Sequence, residues 1–201
     1  MKTGFLFLGL LLSPSIPLPG AEARVFVPSA GTYAAFTVTA HAFGKPVVVY
    51  GIHRHVEGEV QLLPAGRVSA HLSMAGDGFK TGILQRDRDV AHSLSEKDHP
   101  DLVFALMGVS GYHPERDSPQ DVTLTGRLEV RGRATTLSIP ARIRVRGRDL
   151  EAEGSVDTRF SSLKVSPPGL LGLLSTEDPL RIGLVLKAKE RERPGQSRIA
   201  E

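Results

Sequence analysis

The 201-residue sequence contains no cysteine and no tryptophan. Without thiols it can form no disulfide, no thiolate nucleophile and no cysteine-ligated zinc site, and it lacks the residue on which a bacterial lipoprotein anchor is built. Aromatic residues make up 5% of the chain, so a core has to be assembled from Val, Leu, Ile and Ala. Long apolar runs are missing after the first residues: a membrane-spanning helix needs about 20 consecutive apolar residues, and no later stretch approaches that. The G-x-S-x-G elbow, the P-loop, the dinucleotide fingerprint and H-E-x-x-H are also missing. A triad dispersed along a chain leaves no local signature, but no residue pattern suggests one, and the protein is expected not to be an enzyme.

What is present begins with Lys2, an apolar run from Phe5 to Leu12, a Pro-rich stretch and Ala21-Glu22-Ala23. A charged start, a short apolar segment and an A-x-A site describe a secretory signal peptide over residues 1–23. The expected product is soluble rather than lipid-anchored. It consists of one domain over residues 24–189, enough chain for a single core, and a polar tail over residues 190–201. The formal net charge of +3 and pI of about 9.4 come from arginines spread through the chain. Such a surface is solvated and attracted to anionic lipid. Neither a basic stripe with interleaved aromatics nor a helical reader motif is present, which argues against nucleic acid as a partner.

From Arg24 onward the pattern is short alternating runs. Phe36, Val38 and Ala40 oppose Thr37, Thr39 and His41, and Phe43–Pro46 is a turn. Val47 to Leu63 reads as one strand, with Ile52, Val56, Val60 and Leu62 opposite His53, His55, Glu57 and Glu59. Across a Pro64-Ala65-Gly66 turn it forms a hairpin with Val68, Ala70, Leu72 and Met74. Leu102 to Val109 is apolar on both parities. Two clean strands follow around an Arg131–Ala134 turn, with Leu124, Leu128 and Val130 and then Leu137, Ile139 and Ile143 on their apolar sides. Leu150–Thr158 and Phe160–Val165 are weaker strands, Ser166–Pro179 a loop, and Leu180–Ala188 the last strand. About eight antiparallel strands with turn signals at roughly 8–12 residue spacing predict an all-β sandwich or closed barrel.

One stretch, residues 79–104, breaks this pattern. Arg86-Asp87-Arg88-Asp89 reads as a polar turn leading from an Asp89 N-cap into a helix over residues 90–97, stopped by Pro100. The whole unit, with its short helix near residues 88–98, is placed as a lid over one end of the barrel.

Four features could carry chemistry. His53 and His55, with Glu57 and Glu59, share one side of a strand; they either form part of a metal site or stand on a solvated face, and one strand cannot close a coordination sphere. The solvated face is preferred, so no metal is expected. Arg86 and Asp87 either pin the helix or meet a ligand headgroup. Arg142, Arg144 and Arg146 form a basic face that could complement Glu57 and Glu59 if their strands pair. Leu170 to Leu174 either plug one barrel end or form an exposed portal. Inward residues of a wide barrel would line a cavity for an apolar ligand, whereas in a narrow one they would pack solid; periodicity allows both.

Thr81-Gly82, Arg86-Asp87, His99-Pro100 and the apolar strand through Phe104, followed by Leu124–Gly132, Phe160–Pro168 and Glu177–Leu180, resemble in this order the YceI-like family. The resemblance spans nearly all of the chain after the leader. It implies an extended antiparallel, lipocalin-like β-barrel, exported across the inner membrane to the periplasm, that holds a long isoprenoid or other lipid chain for transport or storage. On that basis the lumen is expected to be lined by Phe36, Val38, Leu72, Met74, Phe79, Phe104, Leu128, Ile139, Phe160 and Leu184, with Arg86 and Asp87 near the mouth. The expected partner is a long-chain isoprenoid or fatty lipid, with transient membrane contact and a homodimer as further expectations and no cofactor beyond the bound lipid. The alternative is a barrel with a filled core whose loops bind another envelope protein.

Overall fold

The computed structural model describes residues 22–95, 97–169 and 174–192. The leader expected over residues 1–23, the Leu170–Leu174 cluster and the tail over residues 190–201 fall largely outside them. Among the described residues there are ten strands, all paired antiparallel, one α-helix and a single 3-10 turn over Pro64–Gly66. In chain order the strands and the α-helix are β1 (Arg24–Pro28), β2 (Tyr33–Ala42), β3 (Lys45–His53), β4 (Glu57–Leu62), β5 (Val68–Ala75), α1 (Leu84–Leu94), β6 (Asp101–Ser110), β7 (Gln120–Val130), β8 (Arg133–Arg146), β9 (Asp149–Arg159) and β10 (Leu174–Glu190).

Eight of the strands close a ring: β1 pairs with β4, the order then runs β5 to β10 through successive neighbours, and β10 returns to β1. Closure removes the open edges that a flat antiparallel sheet would leave. The β2–β3 hairpin extends the wall, with β2 on the same edge of β10 as β1 but nearer the start of β10. This is the lipocalin-like barrel with one short helix that the sequence predicts.

Its two ends are built differently. Phe26, Val60, Leu150, Leu186 and Ala188 pack together at one end, where the Arg24 guanidinium lies 5.0 Å from the Phe26 ring centre and pairs with Glu190. The other end is covered by α1 and by the turn that follows Phe160. Val90 and Ser93 of α1 are buried, and the Ser93 hydroxyl donates to the Ser166 carbonyl.

Several local expectations are corrected. The helix begins at Leu84 and ends at Leu94, so Arg86–Asp89 lie inside it. Asp89 is not its N-cap; Ile83 holds that position without a side-chain cap. The Asp87 carboxylate instead reaches back to accept from the Thr81 backbone N–H (2.7 Å) and hydroxyl (2.6 Å). Those bonds hold its pKa below the usual carboxylate value despite partial desolvation. The helix stops well before Pro100, at Ser95, whose hydroxyl and N–H both bond the Ala91 carbonyl. Residues 160–165 form a turn rather than a strand, with Lys164 at φ 58° and Asp178 accepting from the Ser161 N–H and hydroxyl. The last strand starts at Leu174; the register shift between Thr176 and Leu180 disguises it as a loop. A second shift, between Leu106 and Gly108, accounts for the apolar residues on both parities of β6. Arg142 pairs with Asp121 and stands in register with Glu153, as Arg144 does with Glu151, so the basic face does not meet Glu57 or Glu59.

The expected single strand from Val47 to Leu63 is two strands joined at a corner over residues 54–56. The corner flips the parity: Val49 and His53 are buried before it, Val56 and Val60 after it. His53 is therefore 2% exposed, while His55 is exposed, and the two imidazoles do not share a face. The His53 Nε2–H donates to the Ala75 carbonyl at 2.9 Å and its Nδ1 accepts the His55 backbone N–H at 3.1 Å, which defines a neutral ring with both nitrogens satisfied. A Cβ on Gly78 would stand 1.9 Å from that ring, so glycine is needed there. Among the described residues no group of three or more His, Cys, Asp or Glu side chains could hold a metal ion.

Burial, the largest cause, lowers the His53 pKa below its ordinary 6.5, and protonation would set a new Nδ1–H against the His55 N–H. The unfolded chain then binds more protons than the folded one below about pH 6.5, so this contribution to stability is complete above that pH and lost as pH falls toward the folded-state pKa. Denaturant midpoints measured from pH 7.5 down to 5 should fall for the wild type and fall less steeply for His53→Gln, the buried imidazole being the source of the difference.

Candidate functional site

The inward face of the barrel does not fill its interior. Between the packed end and α1 lies a cavity of about 160 Å³, comparable with the roughly 150 Å³ apolar void that stays dry and takes up benzene in another protein. Small inward residues leave this room: Ala34, Ala141, Ala152 and Gly154 stand on its wall. The solidly packed interior required by the filled-core alternative is not what the chain builds.

Nine of the expected lumen residues line this cavity: Phe36, Leu72, Met74, Phe79, Phe104, Leu128, Ile139, Phe160 and Leu184. They come from β2, β5, the link before α1, β6, β7, β8, the turn after β9 and β10; alternation brings the strand residues to one interior, and Phe79 and Phe160 join them from the connecting segments. The polar contribution is slight. Ser93 has its hydroxyl engaged by the Ser166 carbonyl, and Glu153 is exposed on the outward parity of β9. The lumen offers a guest apolar contact and almost no hydrogen bonding.

Val38 and Arg86 belong to a second, smaller chamber of about 70 Å³, walled by Val38, Ala40, Ala42, Val47 and Val49 of the β2–β3 hairpin, by Arg86, Asp89 and Val90 of α1, and by Pro168, Gly169 and Thr176. Phe36, Val90 and Pro168 border both chambers and form the partition between them. Asp87 lines neither; its carboxylate is held by Thr81. Arg86 and Asp87 are thus separated in role: one faces the outer chamber, the other secures the start of α1.

Sequence reasoning missed other lining residues. Leu124, Leu137 and Ile182 share the parity of the expected ones and could have been added on that signal alone. Val90, Leu94, Leu163 and Pro168 come from the helix and the closing turn, where no alternation marks the inward side.

Phe36 lies across the backbone of Gly51, its direct cross-strand partner. A related arrangement recurs diagonally where the Phe104 ring covers Gly126, the register partner of Leu106; a Cβ on Gly126 would meet the ring at 2.2 Å. Both rings lie flat against the wall because nothing projects beneath them. Phe36 also packs against Phe79, ring centres 5.4 Å apart, so its position sets the width of the partition.

No family model matches the sequence, and no curated protein is detectably similar to it. Solved structures are. A polyisoprenoid binding domain from Saccharophagus degradans, implicated in plant cell wall breakdown, superposes with a TM-score of 0.65 at 13% identity, covering 85% of this chain and 100% of that one. BcnA of Burkholderia cenocepacia gives 0.60 at 18% identity, over 78% of this chain and 96% of that one. A YCEI protein of Campylobacter jejuni gives 0.50 at 15% identity, over 71% and 85%. The likeness is one of fold, and at that level the resemblance to the YceI-like family read from the sequence is borne out.

A Cβ on Gly51 would stand 2.1 Å from the Phe36 ring. Gly51→Ala should therefore push Phe36 toward the chambers and destabilise the protein by about 1–3 kcal/mol through overpacking, read as a lower urea midpoint with an unchanged slope.

Proposed function

We propose that the protein is a non-catalytic carrier that holds a long apolar chain, an isoprenoid or a fatty tail, inside its barrel. The observation that carries this is the void itself: an apolar-walled cavity within a barrel that has one end packed and the other covered by α1 and the turn after Phe160. Empty apolar space is costly because its lining side chains lack partners, and an apolar guest restores those contacts. Each methylene transferred from water contributes roughly 0.8 kcal/mol. A wall almost without hydrogen-bonding groups would select for length and branching and leave the identity of the head undetermined.

The inner chamber alone suits a short segment of such a chain. A longer one would continue past Phe36, Val90 and Pro168 into the outer chamber, with adjustment by Met74, whose unbranched side chain changes rotamer readily. Its polar end would then lie near Arg86. That one similar fold belongs to a polyisoprenoid binding domain supports an isoprenoid as the first candidate. Transport or storage, export to the periplasm and loading by transient contact with a membrane complete the proposal. No helix among the described residues is long and apolar enough to cross a membrane.

Organic extraction of protein purified from its native source, followed by mass spectrometry, should yield a long-chain lipid in near-stoichiometric amount. A fluorescent prenyl or fatty probe should enter the delipidated protein, and Leu128→Trp, which fills the inner chamber, should weaken uptake by about tenfold or more while circular dichroism shows the barrel intact. Undiminished uptake by that variant would remove the lumen as the binding site.

A further inference from the structure

The outer chamber is bordered by surfaces that a soluble barrel has no structural reason to leave apolar. Phe43, at the tip of the β2–β3 hairpin, is 88% exposed, and Leu84, at the first turn of α1, is 67% exposed. Ile83 before α1 is also exposed; Val48 and Tyr50 on β3 are exposed too, but they alternate with the chamber residues Val47 and Val49 and face away from it. Phe43 and Gly44 form a two-residue turn with φ of 50° and 74°, a conformation that favours Asn or Gly. A phenylalanine held there, with its ring in water, gains nothing for folding.

These residues belong together. The Ile52–Lys80 bridge ties the end of β3 away from the hairpin tip to the segment entering α1, and hairpin residues Ala42 and Val47 share the outer chamber with Arg86 and Asp89 of α1. Phe43, next to Ala42, and Leu84, two residues before Arg86, therefore adjoin that chamber. Among them stand Lys45, Lys80, Arg86 and Arg88; of the carboxylates nearby besides Asp87, Asp89 is half-buried, Glu177 pairs with His41, and Asp77 is exposed. Asp87 is held by Thr81. Arg88 follows Leu84 by four residues and so shares its helix face.

Resting on the lipid-carrier reading, we propose that this rim is a membrane-docking surface for an anionic bilayer: Phe43, Ile83 and Leu84 enter the interface, Lys45, Lys80 and Arg88 meet lipid phosphates, and the outer chamber faces the acyl region. Apolar tips with interspersed cations are the pattern of interfacial binding. The alternative occupant is a second copy. Apart from the Ile52 bridge, β3 pairs only with β2 among the described residues, so its edge could pair with itself. A two-fold edge pairing, however, would set the same cations against their own copies and leave Phe43 and Leu84 in water, whereas an anionic surface accommodates both features.

The test is sedimentation of the purified protein with phosphatidylglycerol–phosphatidylcholine vesicles, beside vesicles of phosphatidylcholine alone. Binding should require the anionic lipid, fall at high salt as charges are screened, and weaken by about tenfold or more in Phe43→Asn/Leu84→Gln; neither residue lines a chamber. Failure to bind anionic vesicles at low salt, or equal binding by the double variant, overturns the proposal. So does a dimer, seen by light scattering, that keeps the protein off vesicles and is dissolved by Val48→Pro, whose deleted N–H points to the open edge. Uptake of a fluorescent fatty probe from solution, measured on the same samples, separates the two ideas: uptake without vesicle binding sinks the docking surface alone, and vesicle binding without uptake sustains docking while sinking the lumen as a lipid site.

Discussion

The barrel closes where β10 passes its free edge from β2 to β1, and the peptide group of Lys187 sits at that handover. Its carbonyl accepts from the Ser29 N–H (2.7 Å), the Ser29 hydroxyl (2.9 Å) and the Thr32 hydroxyl (2.7 Å), and its N–H donates to the Thr32 oxygen at 3.0 Å. A break between β1 and β2 would otherwise leave backbone groups unpaired in the wall, at a cost comparable with a lost hydrogen bond for each buried one. Thr32, itself buried, makes the break tolerable. Nine residues of β2 and three of β1 can then pair along a single edge of one long strand.

Closure has a direct consequence for the interior. Once the ring exists, every strand must send alternate side chains inward, and the residues present are of moderate or small size, with no tryptophan to fill the middle. The rings that do point inward lie along the wall over Gly51 and Gly126 and leave the centre open. The two ends then divide the work. Phe26 and its neighbours seal one by ordinary close packing. The other is covered by pieces that are not part of the ring, α1 and the turn after Phe160, joined through Ser93 and Ser166.

The inner chamber has little polarity. It presents dispersion contacts and the exclusion of water, both additive along a chain and indifferent to what terminates it. The charged groups of the helix end lie outside the inner chamber. Asp87 serves the fold, and His53, despite its burial, serves the corner between β3 and β4 by bonding Ala75.

How much of this was legible in the sequence follows from the range of the signal. Alternation is a local property, and it sufficed for the antiparallel all-β architecture and for most of the lumen, from Phe36 on β2 to Leu184 on β10. What it cannot register is a change of phase. The corner after His53 turned a histidine assigned to water into a core residue, and the shifts in β6 and β10 blurred one strand and hid the start of another. The helix start was missed because Ile83 offers no cap and Asp87 bonds backward to Thr81. Phase, bulges and lids depend on partners far along the chain, such as Ala75 for His53 or Ser166 for Ser93. The sequence alone determined which residues could face inward, because a strand has only two faces; tertiary structure decided which of them did and that they leave a void, because both depend on how the ring closes.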